Sequence, residues 1–192
     1  MSEQRTLIVT AFVSLDGVVD SPGGEPDHRS TGWTFQDLEH DDAVYELKGR
    51  EQGEATAMLL GRVSYQAFAP VWPDMDFFAG YNAMPRYVVS TTLAETDLDP
   101  RWPATILRSL DDVAALKQTE GGPISVHGSA TLARDLADAG LVDRYHLLVF
   151  PVLLGAGKRL FSETDKAKQM LEVVESETYG NGVQKLVYDV VR

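Results

Sequence analysis

Between residues 6 and 13 the chain is filled by Val, Ile, Thr and Phe with few interruptions, and the run stops at Ser14-Leu15-Asp16-Gly17. An apolar run of that length entering a turn predicts a buried strand. Residues 21 to 32 are polar and rich in Pro and Gly, as in a surface loop. Leu38, Val44, Tyr45 and Leu47, set among charges, predict a helix over 36–53. Residues 55–61, Ala-Thr-Ala-Met-Leu-Leu-Gly, predict a second strand that passes through a single glycine into a helix carrying Val63, Tyr65 and Phe68. After a Pro- and Trp-bearing loop over 70–85, strands are expected at 86–92 and 104–108, a helix at 110–119, a strand at 124–128 and a helix at 129–140 closed by Gly140. A long strand over 143–155 follows. The last two alternating runs flank Gly180-Asn181-Gly182 and read as a hairpin.

Strands that alternate with helices predict an α/β fold, a three-layer arrangement in which a mainly parallel central sheet is covered on both faces. The hairpin adds antiparallel strands at one edge. At 192 residues, 44% hydrophobic and 24% charged, the chain is expected to fold as one domain over 1–192 with a core that needs neither disulfide nor metal. The absence of cysteine removes thiol catalysis, thiolate-zinc sites and iron–sulfur clusters. With 17 Lys+Arg against 29 Asp+Glu the formal charge is -12, which argues against nucleic acid and anionic membranes as partners. No apolar stretch reaches 18 residues and the N-terminus has no signal-peptide pattern, so a cytoplasmic protein is expected.

Two strand-glycine-helix junctions carry the candidate chemistry. At Gly61-Arg62 a glycine permits close backbone approach and the arginine offers a charge-assisted contact to phosphate. At His127-Gly128-Ser129 the same pattern recurs, and two such turns in one parallel sheet suit a dinucleotide. The alternative for each is a tight connection, with Ser129 serving as a helix cap. Gly155-Ala156-Gly157-Lys158-Arg159 resembles a fragment of a phosphate loop, but Val152 stands where its first glycine belongs and Arg159 replaces the hydroxyl residue, so it reads as a structural turn. Asp16, at the end of the first strand, is either a substrate-orienting or proton-relaying carboxylate or a turn residue. Trp33, Phe35, Trp72 and Phe77 could wall a pocket or pack on the body beneath them. His28, His40, Asp41 and Asp42 match no metal-ligand spacing, and no metal is expected. His127 reads as a buried strand histidine and Tyr65 as a packing residue.

The segments VSLDGV, MLLGRVSYQAF, YVVST, ISVHGSATLARDL and DRYHLLVFPVLLGAGKRLF, in this order over nearly the whole chain, resemble the dihydrofolate reductase-like group. Within it the chain is most similar to the C-terminal reductase domain of the riboflavin-biosynthesis deaminase/reductase and its stand-alone relatives. The resemblance implies an NADPH-dependent reductase of a small heterocyclic or carbonyl-type substrate. It implies that Gly61, Arg62, Ser90 and Thr91 approach the adenosine half of the cofactor, that Gly128 and Ser129 hold its pyrophosphate, and that Asp16 lines the substrate side. Relatives often carry a basic residue after the serine of the third strand, whereas residues 91 and 92 are both Thr, which leaves NADH open as an alternative cofactor. The acidic residue that dihydrofolate reductase carries on its first long helix has no clear match among Asp37, Glu39, Asp41 and Asp42. A non-catalytic nucleotide sensor of the same fold is the rival reading. Relatives pair as dimers, and a homodimer through the long strand at 142–153 and its hairpin is the corresponding expectation.

Overall fold

The computed structural model describes residues 4–25, 28–161 and 168–192. The described strands are β1 (Leu7–Ser14), β2 (Ala57–Gly61), β3 (Arg86–Val89), β4 (Thr105–Leu107), β5 (Ile124–His127), β6 (Arg144–Phe150), β7 (Leu171–Thr178) and β8 (Gln184–Val190). They form one sheet in the order β4-β3-β2-β5-β1-β6-β8-β7. The first six pair in parallel, and β8 and β7 join antiparallel beyond β6.

Side chains alternate between two faces because successive Cβ atoms of a strand point opposite ways. Leu7, Val9, Leu59, Ile124 and Val126 face α4 (Leu110–Lys117) and α5 (Ala130–Asp138), where Val113, Leu116, Leu132 and Leu136 complete a core cluster. On the other face Met58, Leu60 and Val88 meet Tyr65 of α2 (Arg62–Phe68) and Tyr81 of α3 (Ala79–Ala83), together with Trp72 and Trp102. Leu148 and Phe150 meet Leu47 of α1 (Glu46–Glu54) in a third cluster. Each fully buried leucine contributes roughly 1.5–3 kcal/mol, so two well-filled faces hold the sheet without covalent help.

The connection leaving β2 thus runs over one face toward β3, while the connection leaving β5 runs over the opposite face toward β6. β2 and β5 are neighbours. Adjacent strands whose connections diverge open a crevice at their carboxyl ends, the place where α/β sheets bind ligands.

Several element bounds differ from the sequence reading. The helix expected over 36–53 begins with a 3-10 turn, Asp42–Tyr45, and becomes α-helical only at Glu46. The cause is Asp41, whose carboxylate accepts the Ala43 N–H and caps the turn there. The strand expected over 143–155 ends at Phe150. Pro151 has no N–H to give, and the Leu154 and Gly155 amides donate to Asp16 instead of to a ladder. The loop expected over 70–85 contains 3-10 turns and α3. The third strand stops at Val89, because the Ser90 hydroxyl accepts the Thr92 and Leu93 amides and turns the chain. β6 lies inside the sheet between β1 and β8, so it offers no free edge to a second copy. The edge strand β7 carries Glu172, Glu175 and Glu177 and a register shift between Val173 and Glu175, features that discourage edge pairing. Among the described residues no helix is long and apolar enough to cross a membrane.

Candidate cofactor and substrate site

The two strand-glycine-helix junctions meet at the β2/β5 crevice. Gly61 ends β2 and Arg62 begins α2, with the arginine exposed and making one long bond of 3.4 Å to Gln66. Gly128 and Ser129 follow β5, and both adopt left-handed backbone, at φ 60° and 61°. A Cβ on Gly128 would sit 3.2 Å from Ser64 Oγ and 3.3 Å from the Phe68 ring, so conformation and space both call for glycine.

Ser129 precedes α5 but does not cap it. Its hydroxyl accepts the Gly61 N–H at 2.9 Å and donates to the His127 carbonyl at 3.1 Å. The helix-cap alternative for this serine is thereby replaced by a bridge between turns. The first amides of α5 have no intrahelical acceptor and no side-chain cap, and they open at the exposed Gly128. Such amides favour an anion.

Ser90 is buried, with its hydroxyl committed to its own turn, whereas Thr91 and Thr92 are exposed beside it. Arg108, at the end of β4, donates to the Ser90 carbonyl at 3.0 Å and the Leu93 carbonyl at 2.7 Å. A guanidinium therefore does stand at this turn, delivered by the neighbouring strand.

Asp16 lies at the end of β1, as expected, and both of its carboxylate oxygens are engaged. Ser14 Oγ donates at 2.7 Å, Leu154 N at 3.1 Å and Gly155 N at 2.8 Å. Arg159 donates to the Asp16 carbonyl, and Lys158 bonds to Asp20 through its amide and its ammonium. The glycine-rich segment 155–159 is thus a clasp for the loop after β1. The Ser14 hydroxyl and then the Leu154 amide hold the Asp16 carboxyl down at about 2. Because the folded-state value lies below the ordinary 3.8, this anion's contribution is present above that value and fades as pH falls from 3.8 toward 2. Asp16→Asn is accordingly expected to leave a pH–rate profile between about pH 5 and 9 unchanged in shape. It is also expected to speed amide exchange at Leu154 and Gly155. A profile limb that disappears with the substitution would assign Asp16 a proton-transfer role.

The sequence reading missed a buried polar row. Thr10 is the register partner of His127 on one side and of His146 on the other, so the three side chains line one sheet face across β5, β1 and β6. Glu51 of α1 closes on this row. It accepts from Thr10 Oγ1 at 2.7 Å and His146 Nδ1 at 2.9 Å through one oxygen, and from Tyr81 OH at 3.1 Å and Lys48 Nζ at 3.3 Å through the other. Lys48 also donates to Thr10 and lies 5.0 Å from the centre of the Phe12 ring. Burial pushes the Glu51 carboxyl up, but Lys48, His146 and Thr10 outweigh it and hold Glu51 below the usual carboxylate range. Burial lowers Lys48, and Glu51 opposes the shift. A polar signal did exist: Thr10, His127 and His146 interrupt apolar strand runs. Of the three acids that α1 carries, Glu46, Glu51 and Glu54, Glu51 is the buried one, and Asp37, Glu39, Asp41 and Asp42 precede that helix.

His127 is boxed by Phe68, Trp72 and Tyr81, with ring centroids at 6.0, 5.1 and 5.1 Å. Desolvation pushes it down to about 3, so it is neutral at pH 7, and its Nδ1 has no hydrogen-bond partner among the described residues. Of the four aromatic wall candidates, Trp33 and Trp72 are buried in the body, while Phe35 and Phe77 are more than half exposed. His40 pairs with Asp42 at 2.9 Å, and His28 Nε2 bonds to the Ala156 carbonyl. Neither belongs to a cluster of three potential metal ligands among the described residues.

Comparison with known proteins agrees with this topology. The chain is 28% identical over 195 residues to the uncharacterized protein YyaP of Bacillus subtilis (strain 168), covering 97% of this chain and 95% of that one. The structure of a putative riboflavin biosynthesis protein from Shewanella sp. PV-4 superposes with a TM-score of 0.78 at 20% identity, covering 97% of this chain and 99% of the other. That of a pyrimidine reductase-like protein from Corynebacterium diphtheriae gives 0.64 at 16% identity, covering 98% and 92%. These likenesses establish the dihydrofolate reductase-like fold. Residues 5–185 match the model of the RibD C-terminal domain, and the chain belongs to that family.

Proposed function

We propose that this chain is an NADPH-dependent reductase of a small heterocyclic or carbonyl-type substrate. The observation that carries the reading is the uncapped amino end of α5 behind two consecutive left-handed residues, Gly128 and Ser129, at the crevice between β2 and β5. Those amides suit a pyrophosphate, and the exposed Gly128 lets it come close. Arg62 and Thr91, both exposed beyond the carboxyl ends of the neighbouring parallel strands β2 and β3, suit the phosphate and ribose of the adenosine half, with the Arg108 guanidinium beside Thr91 favouring an anion.

Bound NADPH supplies a hydride. The chain's own part is to hold and orient. The Asp16 clasp ties the loop after β1 to residues 154–159 and shapes the substrate side, as a fixed anion and not as a proton relay. The buried network around Glu51 anchors α1 on the sheet face at Thr10 and His146.

A thermal-shift titration tests the binding. At about 100 times its dissociation constant NADPH is expected to add about 2.7 kcal/mol of stability. No shift with millimolar NADPH or NADH would sink the reading. Turnover against a panel of pterins, quinones and aldehydes tests the reaction, since a nucleotide sensor binds NADPH without oxidising it. Arg62→Ala is expected to weaken NADPH by about 1.5–3 kcal/mol through loss of a charge-assisted bond. Its apo melting temperature is expected to hold, because Arg62 is exposed and bonded only weakly to Gln66.

A further inference from the structure

Left-handed backbone is unfavourable for a residue with a Cβ, yet Ser129 adopts it directly after a glycine that does the same. Something must hold it there. Three hydrogen bonds converge on this residue. Its amide donates to Ser64 Oγ at 2.9 Å, its hydroxyl accepts the Gly61 amide at 2.9 Å, and the same hydroxyl donates to the His127 carbonyl at 3.1 Å. Ser64 and Gly61 belong to the β2–α2 junction, and Ser129 and His127 to the β5–α5 junction. The two serines therefore reach across the crevice in opposite directions, one accepting from the far backbone at 129 and the other from the far backbone at 61.

We propose that Ser64 is a positioning residue whose hydroxyl, with that of Ser129, latches the two glycine turns into one unit, so that the adenosine side and the pyrophosphate side of the cofactor site are set together. The proposal rests on the reading of this crevice as the NADPH site. Ser64 is the third residue of α2, two positions beyond Arg62, and neither it nor the Ser129 hydroxyl needs to touch the cofactor. With the Ser129 side chain occupied by the latch, the serine leaves the first amides of α5 uncapped, and Ser64 fixes the backbone from which those amides point. Ser64 Oγ also stands 3.2 Å from the place a Cβ on residue 128 would take, so the same contact enforces glycine there.

The test compares Ser64→Ala, Ser64→Thr and the unmodified protein. In Ser64→Ala the dissociation constant and the KM for NADPH are expected to rise about three- to tenfold, the loss of one neutral hydrogen bond. The kcat at saturating cofactor is expected to hold. Amide exchange at Ser129 in the apo protein is expected to speed up. Ser64→Thr keeps the acceptor and is expected to restore both the KM and the exchange protection. A combined Ser64→Ala, Ser129→Ala variant is expected to lose less affinity than the product of the two single losses, because each breaks the same latch. Wild-type NADPH affinity together with unchanged Ser129 exchange in Ser64→Ala overturns the latch and leaves the reductase reading standing. A fall in kcat with KM unchanged overturns it as well. If the unmodified protein binds no NADPH, both fall together.

Discussion

Glu51→Gln is expected to destabilise the protein by about 3–5 kcal/mol, because a shape-preserving change leaves the Lys48 ammonium buried without its counter-charge. For a chain of this length that corresponds to a fall in melting temperature of roughly 6–20 °C. The reasoning follows from the four donors on Glu51. An amide can accept from two of them but turns its own N–H group toward the others, so Tyr81 OH and Lys48 Nζ, or Thr10 and His146, lose their acceptor. Both Lys48 and Glu51 are at most 4% exposed, so water cannot replace what is lost. The pH dependence has a definite sign. The Glu51 carboxyl is held below its ordinary 4.5, so its stabilisation is present above that pH and is lost as pH falls below it. The gap between the two proteins is therefore expected to narrow in acid. It is also expected to narrow in alkali, where the stranded Lys48 can shed its proton. Pairing the change with Lys48→Met is expected to cost less than the sum of the single changes, since no lone charge remains. Chemical denaturation of the four proteins at several pH values measures all of this, and equal stability of Glu51→Gln and the unmodified protein would show the network to be incidental.

Gly128→Val is expected to cost about 2–4 kcal/mol and to abolish NADPH binding. A φ of 60° is a strained conformation for a β-branched residue, at about 1–2 kcal/mol, and the added Cβ meets Ser64 Oγ at 3.2 Å and the Phe68 ring at 3.3 Å. The structure shows that bulk at 128 also presses on the end of α2. Binding measured well below the melting midpoint separates the two effects. Gly128→Ala, which carries the backbone strain with less bulk, is expected to fall between. A folded Gly128→Val protein that still binds NADPH would move the pyrophosphate site elsewhere.

The legible parts of this protein are those written locally. Apolar-rich runs at residues 6–13, 55–61 and 143–155 announced buried strands because burial on both faces leaves little room for polar alternation. The junction at Gly128 was visible because a left-handed residue selects glycine, whereas Gly61 has an ordinary φ of -81° and room for a Cβ, its nearest neighbour 3.6 Å away. The family likeness carried Gly61, Arg62, Gly128 and Ser129 to one place, and the topology does bring their turns together. Asp16 was placed correctly at the end of β1, but its partners, Leu154 and Gly155, lie 138 and 139 residues away, so sequence alone could not reveal a carboxylate already spent on two distant amides. The end of β6 was misjudged for the same reason: the amides that would have continued the strand were claimed by that carboxylate.

Composition, strand and helix order, the hairpin and the glycine turns were thus set by the chain's own pattern, since each depends on neighbours within a few residues. Which charge is buried beside which was decided by the tertiary structure. Glu51 sits in a helix that looks merely polar in sequence, and it becomes a buried anion because two strands bring Thr10 and His146 alongside it while two helices bring Lys48 and Tyr81. Likewise Ser129 looks like a helix cap and becomes a bridge because β2 and β5 are neighbours, which places Gly61 and Ser64 within hydrogen-bond reach of a residue more than sixty positions later. Hydrogen-bond and charge partners are selected by distance in space, and that distance exists only once the sheet has assembled.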